Sequence, residues 1–275
     1  MNAGAGYLCA PWGRVHFRCA PGESIETQLA SGRPLLVLLH QSPLSSRRYR
    51  LALEGLAEFC VPVAVDTPGY GNSEAGEGDW SVGQYAAVAW LVADAFGAER
   101  PWLFGRATGA VFALEAAAQQ PERTAGVILH GVPVYTEEEK TARLADFAPP
   151  YEPTSDGAHL NWIWRRVQGE YPWADPALVT EFVSEYLRAG PDFASSYRAI
   201  WRHDLHESAK RAGKVDLLLG GSADRIGYMH ERAVEAIGHR RAVVLPGATD
   251  FVAEQDPAAF CAALAEAITT QEGTT

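Results

Sequence analysis

Short apolar runs punctuate the chain at Leu35–Leu39, Val61–Val65, Trp102–Phe104, Val127–Leu129, Val215–Leu219 and Ala242–Leu245. Continuous runs of this length suit strands buried on both faces, as in a parallel sheet. Between them lie stretches with helical spacing: Ser46–Phe59, Val82–Phe96, Gly109–Gln120, His230–Ile237 and Asp256–Ile268. Strand and helix in alternation predict a doubly wound α/β fold. Two segments depart from the alternation. Near the start, Arg14–Cys19 and Ser24–Leu29 alternate with period two around Pro21-Gly22, which predicts an antiparallel hairpin with one solvated face. From Tyr135 to about Ala212 the spacing is helical and no strand is evident. The expected division is a core, residues 1–134 and 213–275, and a helical cap, residues 135–212.

The cap segment holds Trp162, Trp164, Trp173 and Trp201, half of the chain's eight tryptophans, and five of its ten tyrosines. Such side chains combine apolar area with a polar handle, which suits a small-molecule pocket as well as simple packing onto the sheet. The 275 residues allow one large domain or two small ones, and 47% apolar content is enough for a sizeable core. The formal charge of −11 repels phosphate backbones, so nucleic acid is not an expected partner. No apolar run approaches the ~18 residues of a spanning helix, and residues 1–6 lack the pattern of a secretory signal. Cys9, Cys19, Cys60 and Cys261 form no C-x-x-C pair and read as reduced cytosolic thiols rather than a metal site. The expected setting is cytoplasmic, with a small-molecule substrate as partner and a homodimer as the one assembly left open. The low-complexity tail Thr269–Thr275 reads as frayed.

In an open α/β sheet, ligands bind beyond the carboxyl ends of the strands. Three loops there carry distinctive residues: His40-Gln41-Ser42-Pro43, Asp66-Thr67-Pro68-Gly69-Tyr70-Gly71-Asn72-Ser73, and Gly105-Arg106-Ala107-Thr108-Gly109. Small residues two before and two after position 107 let a strand turn sharply into a helix and lift residue 107 onto the tip. In this order the loops resemble the H-G-x-P, D-x-P-G-x-G-x-S and nucleophile-elbow motifs of the α/β-hydrolase superfamily. Gly220–Asp224 is similar to the loop carrying that family's triad acid, and Pro246–Phe251 to the loop carrying its histidine. The resemblance spans essentially the whole chain. It implies an α/β-hydrolase fold with a cap between the sixth and seventh strands. It also implies oxyanion-type backbone donors at Ser42 and Thr108, a structural Asp66 and a usually structural His40.

The departures bear on chemistry. Ala107 stands where the family has serine, Asp250 where it has histidine and Gln41 where it has glycine, and only the acid Asp224 is retained. A methyl group cannot attack a carbonyl, and aspartate substitutes poorly for imidazole near neutral pH. Three explanations compete: a serine-to-alanine change made to trap a substrate, a natural pseudo-hydrolase that binds without chemistry, and an enzyme of different chemistry such as elimination, isomerisation, cyclisation or decarboxylation. The third is favoured, on a mid-sized molecule bearing a carbonyl or carboxylate, and the residue usage hints at bacterial specialised metabolism. It rests on Asp224 and Asp250 being neighbours, since two adjacent carboxylates do not both ionise cheaply. An ion pair of Asp250 with Arg225 or Arg106, or a cation between the aspartates, are the competing arrangements. His130 is the candidate relocated base. Arg106 is read as an anion binder or an internal brace. Trp162, Trp164, His203 and Tyr228 are candidate pocket residues beside His40 and Gln41, while His16 reads as a surface residue. No nucleotide-binding glycine-rich motif is present, so no diffusible organic cofactor is expected, and no ligand spacing specifically supports a metal site.

Overall fold

Residues 4–147 and 150–270 are described by a computed structural model of the chain. Most of the tail Thr269–Thr275 lies outside these residues. The strands are β1 (Gly4–Ala10), β2 (Gly13–Cys19), β3 (Leu35–Leu39), β4 (Val61–Val65), β5 (Trp102–Arg106), β6 (Gly126–His130), β7 (Val215–Gly221) and β8 (His239–Leu245). They form one eight-stranded sheet in the order β1-β2-β4-β3-β5-β6-β7-β8. β1 and β2 are antiparallel, β2 meets β4 antiparallel, and β4 through β8 run parallel. The helices are α1 (Ile25–Ala30), α2 (Leu53–Leu56), α3 (Val82–Ala95), α4 (Thr108–Gln119), α5 (Glu137–Asp146), α6 (Ala158–Glu170), α7 (Pro176–Ala189), α8 (Ser195–Trp201), α9 (Leu205–Ala212), α10 (His230–Ala236), α11 (Val252–Gln255) and α12 (Pro257–Thr269).

The apolar runs are continuous because both faces of the sheet are covered. In β3, Leu35, Val37 and Leu39 join one core with α3 and α4, while Leu36 and Leu38 join the other with α2 and α12. A third core lies among the inserted helices α5–α9. There Ile163, Val179, Phe182 and Phe193 enclose Leu44 and Phe251, which come from loops at the sheet's edge. Helix starts follow local chemistry. Ser81 with Gln84, and Thr136 with Glu139, close capping boxes at α3 and α5.

Two expectations are corrected. Ser24–Leu29 is not a strand: the Ser24 side chain accepts from the Thr27 N–H and caps α1, so local capping outweighs the period-two pattern. The hairpin instead joins β1 to β2. The stretch Ser46–Phe59 is only partly helical, a 3-10 turn at Ser46–Tyr49 followed by the short α2. Among the described residues no helix is long and apolar enough to cross a membrane.

Candidate functional site

The chain runs from β3 to β4 on one side and then returns to place β5 on the other side of β3, which makes a switch point. Leu39 pairs with Gly105, so the His40 loop and the turn after β5 lie side by side. Ala107, at the tip of that turn, has φ 50° and ψ −113° and is the only non-glycine with positive φ among the described residues. The glycines on either side of it are sterically required. A Cβ on Gly105 would fall 2.0 Å from the Gly109 carbonyl oxygen, and one on Gly109 would fall 2.3 Å from the Leu39 carbonyl oxygen. The backbone of a nucleophile elbow is therefore present, strained, and tipped by a methyl group.

Around the tip lies a narrow cleft of about 40 Å³. Gln41, Ser42, Ala107 and Thr108 line one part of it; Arg106, Asp250, Arg225 and Ile226 line another. The inserted helices and their lead-in contribute Tyr135, Tyr197 and Ile200. The Thr108 hydroxyl accepts the Ser42 N–H at 2.7 Å and donates to Ser42 Oγ at 3.1 Å. One of the two expected oxyanion donors is thus already taken by a side chain. The Tyr197 hydroxyl closes the same corner on the Ser42 carbonyl at 2.5 Å.

Asp224 and Asp250 are neighbours, but they do not face each other bare. The Arg106 guanidinium bridges them, with Nη2 2.9 Å from Asp224 and 3.5 Å from Asp250. Its remaining donors go to the Asp250 carbonyl at 3.3 Å and the Gly131 carbonyl at 3.1 Å. Asp250 further accepts the Arg225 N–H at 2.9 Å, and Arg225 Nε lies 3.5 Å away. Arg106 is thus an internal brace, the second of its two readings, with each of its three side-chain nitrogens engaged within the protein. The arginine-paired arrangement of the aspartates replaces the expectation of two unshielded carboxylates. Among the described residues, no group of three or more His, Cys, Asp or Glu side chains is placed to hold a metal ion.

The other candidates fall away from the cleft. His130 is buried, its Nε2 3.7 Å from Asp224 and without a hydrogen bond. Burial first, then the Arg106 charge, push its pKa down from the ordinary histidine range. It lines a small chamber behind Asp250, together with Gln41, Arg48 and Tyr49. His40 is locked in its loop: its Nε2 accepts the Thr67 N–H at 3.0 Å and its Nδ1 donates to the Gln41 carbonyl. Trp162 packs on Tyr151 and Phe193, Trp164 belongs to the core of the inserted helices, and neither lines the cleft. His203 bonds Ser208 at 2.7 Å beside α4, and Tyr228 is 60% exposed. His16 is not on the surface: it is buried and bonds Asp66 at 2.8 Å. Burial opposes ionisation of Asp66, yet hydrogen bonds from His16, Asn72 N and Ser46 N hold its pKa down at about 2. Sequence reasoning missed Tyr135, Tyr197, Ile200 and Ile226 as cleft residues. Only Tyr135, just past a strand end, carried any positional signal.

With the geometry described, comparison with known proteins adds the lineage. The model of the alpha/beta hydrolase family matches residues 36–263. The biotin biosynthesis bifunctional protein BioHC of Cellvibrio japonicus is 36% identical over 96 residues, 35% of this chain and 18% of that protein. Among solved structures, epoxide hydrolase A from Mycobacterium thermoresistibile superposes with a TM-score of 0.73 at 22% identity, covering 97% of this chain and 98% of that one. The enol-lactonase from Burkholderia xenovorans LB400 does so with 0.75 at 19% identity, covering 96% and 100%. At these identities the likeness speaks for the fold.

Proposed function

The chain belongs to the α/β-hydrolase family, and we propose that it uses the family's cleft to bind a small molecule without acyl transfer. One observation carries this reading: Arg106, the residue before the elbow tip, spends its guanidinium on Asp224 and Asp250 where the family's triad would stand. Placing an aspartate at position 250 adds a buried negative charge beside Asp224, and Arg106 offsets it. Positions 107 and 250 depart from the family pattern together, and Arg106 beside them braces the carboxylate at 250. A single serine-to-alanine trap does not produce that set. The Thr108 hydroxyl on the Ser42 N–H points the same way, since an oxyanion would have to displace it.

The ligand is a mid-sized, mostly apolar molecule with one polar end. Ala107, Tyr135, Tyr197, Ile200 and Ile226 supply the apolar walls, Asp250 an acceptor, and the half-exposed Arg225 a cation for a carbonyl or carboxylate. The test is p-nitrophenyl butyrate hydrolysis by the parent, Ala107→Ser and Ala107→Ser/Asp250→His. All three are expected to remain at background, because Arg106 still occupies the partner position of the imidazole. Esterase activity in Ala107→Ser alone would overturn the reading in favour of a trapped hydrolase. A second reading, proton transfer by Asp250 in a non-hydrolytic reaction, is favoured by its place in the cleft wall. It requires Asp250→Asn to abolish conversion of a ligand that the parent transforms. Recovery of bound ligand chemically unchanged after long incubation with the parent rules it out.

A further inference from the structure

A second, polar cavity of about 210 Å³ opens between β2, the loop after β4 and helix α7. Its walls include Arg18, Arg47, Asn72, Glu181, Glu185 and Arg188. Most of the charge near it is settled internally. Arg47 grips Glu181 at 3.1 Å, Arg48 reaches Glu181 at 3.0 Å, Glu185 at 3.4 Å and Glu254 at 2.8 Å, and Arg50 closes on Glu254. Three guanidinium groups thus face three carboxylates, and that cluster is balanced. Asp66, nearby, is spent on His16 and on the backbone N–H groups of Ser46 and Asn72.

Two cations remain. Arg18 has no hydrogen bond or ion pair among the described residues, and its Nε is buried without a partner. Arg188 bonds only the neutral Asn72 side chain, at 2.7 Å. Both line this one cavity. On the same wall sits the opposite need. Glu185 is 5% exposed, its Oε1 accepts from Ser45 and Arg48, and its Oε2 is buried with no donor. Buried polar atoms without partners point to a missing water, ion or ligand. Two unpaired guanidinium groups match a dianion, and the orphan carboxylate oxygen asks for a hydroxyl.

We propose that this cavity is a second binding site, for a small phosphate monoester that carries a hydroxyl group. Arg18 and Arg188 take the phosphate and Glu185 Oε2 accepts from the hydroxyl. The inference does not depend on how the elbow cleft is read. The test is isothermal titration of the full chain with glycerol 3-phosphate, inorganic phosphate and glycerol. Glycerol 3-phosphate is expected to bind more tightly than phosphate, and glycerol not at all. Arg18→Met and Arg188→Met, checked for fold by circular dichroism, are each expected to weaken glycerol 3-phosphate by about tenfold or more. Glu185→Gln should bring glycerol 3-phosphate and phosphate closer together in affinity. Ala107→Ser should bind as the parent does. Absence of binding to the parent at millimolar concentration, or unchanged affinity in both arginine variants, would overturn the site. Equal affinity of the parent for phosphate and glycerol 3-phosphate would overturn the hydroxyl's role.

Discussion

The cleft at the elbow tip and the cavity beside α7 are built from the same residue types and end in opposite states. At the elbow, Arg106 meets two carboxylates and two carbonyl oxygens, so each of its side-chain nitrogens is engaged. Beside α7, neither Arg18 nor Arg188 has a carboxylate partner among the described residues. The first arrangement is architecture: it holds the loops after β5, β7 and β8 together. The second leaves positive charge directed at open space. Having an arginine in a pocket wall therefore says little. Whether its donors are already spent separates a brace from a binding group.

The sharpest way to break this contrast is to remove one arginine from each region. Arg106→Met strands Asp224, whose side chain is 0% exposed, and leaves Asp250, 3% exposed, to Arg225 alone. Breaking a buried pair in this way costs about 3–5 kcal/mol, read as a lower urea midpoint. Arg18→Met removes a charge with no partner and should stay within about 0.5 kcal/mol of the parent. Equal losses in the two variants would erase the distinction between spent and unspent cations.

The same contrast explains what the sequence could reveal. The parallel strands were legible because each carries a short apolar run, interrupted in β7 by Asp216 and confined in β8 to Ala242–Leu245, and the elbow because Gly105 and Gly109 flank a tip that only small residues permit. The same motifs gave the expectation that Ala107 and Asp250 stand where the family carries serine and histidine. What the sequence could not show was direction. Arg106 was visible as an unusual residue, but its guanidinium's turn toward Asp224 is a tertiary fact. Trp162, Trp164 and His203 looked like pocket residues by composition, yet which side of an inserted helix meets the cleft depends on how that helix sits. Arg18 gave no signal, since a lone arginine on a strand reads as solvated until the partners around it are counted.

A smaller effect sharpens the elbow side of the comparison. Ala107 holds a positive-φ backbone, φ 50° and ψ −113°, of a kind that costs a non-glycine residue about 1–2 kcal/mol. Ala107→Gly relieves that strain and gives back part of it as unfolded-state freedom, about 0.5–1 kcal/mol. The expected net is a gain of up to about 1 kcal/mol, seen as a raised midpoint. Ala110→Gly, inside α4 at ordinary helical geometry, should lose about 1 kcal/mol. A loss in both would mean that the Ala107 methyl packs well enough to offset the strain.

The smallest effect lies on the cavity side and is read through pH. Burial raises the Glu185 carboxyl above its ordinary range, and the Arg48 charge and the Ser45 hydrogen bond only partly oppose this. A carboxyl whose folded-state pKa is raised favours the fold while protonated. That contribution is complete below the ordinary glutamate value and is lost as pH rises through the raised one. Glu185→Gln cannot ionise and lacks this loss. Glu254, also raised by burial, is common to both proteins and cancels in the comparison. The stability of the parent relative to Glu185→Gln should therefore fall as urea unfolding is repeated from acid toward neutral pH. Adding glycerol 3-phosphate should reduce the fall, because its hydroxyl supplies the donor that Oε2 lacks. A difference that stays flat with pH would mean that the resting fold already meets the cost of the buried carboxylate, and that its oxygen needs no donor from outside.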